Sequence, residues 1–143
     1  MTVATGASVA LFWQSPRRTS VRQALAGSLA FFSGLITAGL GLGHLSGVLV
    51  VELRRSPFHY DFRVYALLLL GATLVAMGAR LATASARVAR GEHAAWGPAI
   101  GAATALLAIN LPLAPIQGFA VALSIFVSIG LVALLAVRAR LAS

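Results

Sequence analysis

From Ala24 to Val51 the chain carries no formally charged side chain. Wound as a helix, that stretch is roughly 42 Å long, more than the ~30 Å hydrocarbon core of a bilayer. A helix on the surface of a water-soluble domain needs a charged or polar face, and this run has none. Further apolar runs follow at 64–79, 96–111 and 118–137. Only 10% of the 143 residues are charged and 59% are hydrophobic, against about 25% charged in an ordinary soluble domain. The mean hydropathy of +0.93 points the same way. The expected fold is all-α: an integral membrane bundle of four transmembrane helices at about 23–53, 57–90, 97–113 and 118–138. Residues 23–143 form the transmembrane domain, and residues 1–22 a cytoplasmic or interfacial segment whose apolar part, Val3 to Trp13, is too short to span.

Local signals mark the helix ends. Ser20 followed by Gln23 has capping-box spacing, with hydroxyl and amide each positioned to satisfy a backbone group of the first turn. Ser56-Pro57 reads as a cap and first position for helix two, with Phe58, Tyr60, Phe62 and Tyr65 as an aromatic girdle beside it. Gly91 stands where a left-handed residue closes a helix. Helix three opens at Trp96, and Asn110, Pro112 and Pro115 end it in a kink or tight turn.

The formal charge of +8 comes from eleven arginines set against Glu52, Asp61 and Glu92. The arginines cluster between apolar runs, which is how membrane orientation is fixed, and argues against nucleic acid as the partner. Eight of them (17, 18, 22, 80, 87, 90, 138 and 140) fall on the side holding both termini, and Arg54, Arg55 and Arg63 on the other. The positive-inside rule therefore puts the N and C termini in the cytoplasm. An arginine-only basic set suggests a bacterial source, hence the cytoplasmic (inner) membrane. Arg80 reads as lying about a turn inside the cytoplasmic end of helix two, close enough to snorkel to the interface. With no cysteine, disulfides, thiolate nucleophiles and thiolate metal sites are excluded.

Glycine gives the most specific pattern. Gly39, Gly43 and Gly47 are spaced by four and Gly27, Gly34 and Gly41 by seven, so two adjoining strips of helix one lack side chains. Gly97 and Gly101 give helix three a similar strip. In lipid such strips let backbones approach closely, which is a principal source of helix association. Packing inside the bundle is the plainer use, but helix one carries more strip than one neighbour needs, and self-association or docking on other membrane subunits is the expected use of the surplus.

His44, inside helix one, is the residue best suited to chemistry. A neutral imidazole there can ligate haem or a pigment, or contact a quinone or relay a proton. More simply, it hydrogen-bonds a carbonyl, Ser46, Asn110 or a neighbouring helix. No second histidine at matching depth supplies a bis-histidine haem. Near the outer turn Arg54, Arg55, His59, Asp61 and Arg63 gather with Glu52, a set suited to a lipid headgroup or a quinone, or simply to solvated ion pairs. No metal site, hydrolase motif, phosphate loop or paired intramembrane carboxylate occurs, so an enzyme is not expected. No cofactor is required, with haem, pigment or quinone as the alternatives.

The function expected from these features is an accessory or assembly subunit of a larger membrane complex, acting by helix packing. A homo-oligomeric transporter or channel for small solutes comes second, and a redox or pigment protein using His44 third.

Overall fold

The computed structural model describes residues 20–55, 61–113, 115 and 118–143. Four α-helices dominate: α1 (Val21–Arg54), α2 (Phe62–Ala89), α3 (Trp96–Asn110) and α4 (Gly118–Leu141). One-turn 3-10 segments, His93–Ala95 and Leu111–Leu113, flank α3. The helices alternate in direction. α1 touches α2 and α4, and α3 touches the same two, giving an up-down-up-down ring with the start of α1 and the end of α4 at one end of the bundle. That end is called the terminal end below, and the opposite one the hairpin end.

The helix boundaries follow from local chemistry. Ser20 is extended and its hydroxyl accepts from the Gln23 amide at 3.2 Å, opening α1. The second half of the expected box is used differently. The Gln23 side chain, buried, donates to the Val88 carbonyl of α2 at 3.1 Å, so it adds a second donor to a carbonyl at the neighbouring helix's end instead of serving its own first turn. That end closes on Gly91, whose φ of 88° lets its amide reach Val88 O while the Glu92 amide reaches Arg87 O. This pair of bonds is a Schellman motif, and it needs the conformation that glycine adopts without a Cβ penalty. At the other end of α2 the expectation shifts. Asp61 is extended and the helix starts at Phe62, not near Pro57. Ser56, Pro57, Phe58, His59 and Tyr60 lie outside the described residues.

The packing is inverted relative to a soluble bundle. Among the described residues ten of the eighteen buried hydrophobic ones are alanines, whereas Leu, Ile, Phe and Val crowd the outside, as with Leu25, Leu29, Phe32 and Leu35 on α1 and Ile125, Ile129 and Val132 on α4. Small residues inside and bulky apolar ones outside are what association in an apolar solvent favours. All four helical segments are long and apolar enough to cross a membrane.

Two seams hold α1. Against α2, Gly27 lies on Ala89, Gly34 on Ala82 and Gly78, and Gly41 on Leu74 and Val75. Each seven-residue step forward on α1 matches a seven-residue step back on α2, and a repeat of seven keeps one face in contact as two helices supercoil. Against α4, the buried Ser33 hydroxyl donates to the Phe126 carbonyl, and Gly130 receives Ser33 and Ala30. Thr37, one turn on, returns its hydroxyl to Ser33 O at 2.7 Å.

The two hairpins are unequal. Gly71 of α2 faces Leu45 of α1, and Gly118, twelve residues ahead of Gly130, falls at about that same level. α1 and α2 therefore continue about nine residues beyond α4, or about 14 Å. In this projection Leu49, Val50, Val51, Leu53, Phe62, Tyr65 and Leu69 are all exposed.

Candidate functional site

The two glycine strips of α1 have different fates. At Gly34 a Cβ would lie 2.5 Å from the Ala82 amide nitrogen and 2.7 Å from the Gly78 carbonyl oxygen. At Gly78 it would lie 2.8 Å from the Gly34 carbonyl oxygen and 2.6 Å from the Ala38 nitrogen. The two backbones meet directly, and each glycine makes room for the other. Gly71, Gly78 and Ser85 repeat at seven on α2, a matching strip that the sequence displays and that reading α1 alone misses. By contrast Gly39, Gly43 and Gly47 have nothing within 4 Å of a Cβ, and neither do Gly97 and Gly101 on α3. These five glycines are exposed on the outside of the bundle and pack on no other part of the described chain.

His44 stands where the long hairpin leaves the four-helix block. It is half-buried, and its Cδ2 lies 3.2 Å from the Cβ position of Gly71, so the imidazole sits over α2 beside Leu45. Gly41, one turn away, is taken up by Leu74 and Val75, so no flat macrocycle can slide onto the helix there; Gly47, on the other side, is open. The Ser46 hydroxyl donates to Gly43 O at 3.0 Å, and the buried Asn110 amide donates to Leu106 O at 2.7 Å.

Among the described residues the hairpin end shows a single ion pair. Glu52 is buried, with Arg55 at 3.4 Å, a contact between residues three apart on one helix. Arg54, Asp61 and Arg63 are exposed, and Asp61 makes no side-chain cap bond to α2. His59 lies outside the described residues. At the terminal end Glu92 draws in Arg87 at 2.7 Å and Arg90 at 3.6 Å, tying the α2–α3 turn. Among the described residues no three His, Asp or Glu side chains come together as a metal site would require.

The single turn expected beyond Arg80 falls short both of the expected helix end near residue 90 and of the observed one. α2 runs on to Ala89, nine residues and about 13 Å further, so Arg80 lies about two and a half turns inside the helix rather than one. It is exposed, and among the described residues it forms no ion pair. On α4 an apolar groove of about 560 Å³ runs along Val121, Ile125, Ile129 and Val132, with Leu111 at its head and Ser124 and Ser128 on its floor.

Fold and site together define an all-helical chain with four helices long and apolar enough to cross a membrane, one seam of interlocked glycines, and a second glycine strip turned outward. Comparison with known protein families, with curated proteins and with solved structures finds no match.

Proposed function

We propose that this protein is an integral membrane protein with both termini in the cytoplasm, acting by helix packing as an accessory or assembly subunit of a larger membrane complex. The observation that carries the reading is the outward strip of Gly39, Gly43 and Gly47 on a helix whose other glycine strip is already saturated by α2. In lipid, a helix face without side chains gains little from acyl chains and much from a second helix that approaches its backbone. The projecting ends of α1 and α2 support the same reading, since they hold exposed Leu49, Leu53, Phe62 and Leu69 away from α3 and α4. The arginine distribution supports the orientation.

Gentle detergent extraction followed by native mass measurement tests it. A fixed set of other polypeptides should accompany the protein, and Gly43→Leu should release them without unfolding the bundle. A homo-oligomer that Gly43→Leu dissociates would favour a self-associating carrier or channel. A monomer free of other polypeptides would overturn the reading. A visible absorption band lost in His44→Ala would instead favour a redox or pigment-associated protein.

A further inference from the structure

The outward face of α2 differs from those of α1 and α4. Running along it are Ala72, Ala76, Ala79, Arg80 and Thr83, all exposed, where α1 and α4 present Leu, Ile, Phe and Val. Positions 72, 76, 79 and 83 are spaced by three and four, so they form one smooth stripe with the Arg80 guanidinium rising from its edge. α1 and α3 pack on the other sides of α2, and no described residue covers this stripe.

We propose that this stripe docks a transmembrane helix of a different protein, one bearing an aspartate or glutamate at the depth of Arg80. The inference rests on the membrane-subunit reading above. Charge names the occupant. A guanidinium about 13 Å inside an apolar helix is costly in lipid unless a counter-charge or water meets it. That depth exceeds what an arginine's three methylenes span by snorkelling to the helix end. The chain's own acids are engaged or remote: Glu52 has Arg55, Glu92 has Arg87 and Arg90, and Asp61 precedes the first turn of α2, nineteen residues away. A second copy is disfavoured too. Two copies inserted the same way and related by a two-fold axis would set Arg80 against Arg80, a like-charge contact in a low dielectric. A partner acid at matching depth supplies the opposite charge, and the alanine stripe lets its helix come close enough to pair.

The test uses the full-length protein in its native membranes. A photo-crosslinking amino acid is placed at Ala76 or Thr83, on α2 beside Arg80, or at Gly43 on the α1 strip, with Arg80 intact or changed to Gln or Lys. Elution as a single sharp peak on size exclusion reports that each variant folds. The expected result is a discrete adduct from positions 76 and 83 that maps to an apolar segment containing Asp or Glu. It should fall at least tenfold with Arg80→Gln and persist with Arg80→Lys. Replacing the partner's acid with its amide should cause the same loss. Should Arg80→Gln fail to fold, Ala79→Leu blocks the stripe with the charge intact and should cause the same tenfold loss. Adducts with lipid alone, or with a second copy, would overturn the proposal, as would an adduct indifferent to Arg80→Gln. Partner adducts at Gly43 with only lipid at 76 and 83 would sink this inference while leaving the subunit reading in place. Lipid alone at every position would remove both.

Discussion

Gly34 and Gly43 lie on one helix and face opposite demands. At Gly34 any side chain meets the backbone of α2 at 2.5 Å, and two backbones cannot yield as a flexible side chain would. Gly34→Val should therefore destabilise the bundle by at least about 1–3 kcal/mol, the usual range for overpacking. Gly43→Ala should leave the melting temperature of the isolated protein unchanged or slightly raised, because alanine favours a helix by up to about 1 kcal/mol and nothing opposes its Cβ. Thermal unfolding in mild detergent, followed by circular dichroism, measures both; equal losses at the two sites would refute the division of the strips. Gly91→Ala forces a Cβ into a left-handed conformation and should cost about 1–2 kcal/mol in the same assay. Ser20 and Gly91 were legible in the sequence because a cap depends on its own few neighbours. That the face around Arg80 stays open was not, because it depends on which sides of α2 the other helices take.

At the scale of elements, α1 is the organising helix, and its two partners are held by different means. The α1–α2 seam is a backbone-to-backbone contact repeated every seven residues, capped at one end by the Gln23 bond to Val88 O. The α1–α4 seam relies on the Ser33 hydroxyl meeting the Phe126 carbonyl. Ser33→Ala should lower stability by about 0.6 kcal/mol, the average for hydrogen bonds between membrane helices, and by no more than about 1.7 kcal/mol, and should loosen α4 more than α2. Hydrogen exchange resolved along the chain checks this, with amides near Gly130 expected to lose protection before those near Gly78. Uniform loss across all helices would argue against independent seams. The spacing of Gly27, Gly34 and Gly41 announced a packing face, and Gly71, Gly78 and Ser85 repeat the same period on α2. Their pairing was not legible, since a period states which residues share a face and not which face it meets.

The molecule as a whole is stepped. Four helices share a block from the terminal end to about the level of Leu45 and Gly118, and beyond it α1 and α2 stand alone. The apolar side chains of that extension, the outward glycine strip and the α2 stripe around Arg80 are three surfaces left without partners among the described residues. Ser20 and Ser143 lie at one end of the bundle, and the proposed orientation assigns that end to the cytoplasm. Because the chain has no native cysteine, single-cysteine variants report on this cleanly. In intact cells an impermeant thiol reagent should label Arg55→Cys and spare Ser20→Cys and Ser143→Cys until the membrane is opened. Labelling of either terminal position from outside would reverse the orientation, and labelling of only one would break the four-span topology.

By itself the sequence determined the solvent-facing chemistry and the rods: long uncharged runs, caps at Ser20 and Gly91, and stripes of glycine follow from composition and from contacts a few residues apart. Only the tertiary structure decided that Gly27, Gly34 and Gly41 are filled by α2 while Gly39, Gly43 and Gly47 stay bare, that α3 and α4 stop short of the long hairpin, and that Arg80 stands on a face no other described helix covers. The physical reason is that a strip without side chains carries no feature by which to choose its neighbour. The choice is made by how closely two whole backbones fit along a shared register, and no single residue encodes that fit.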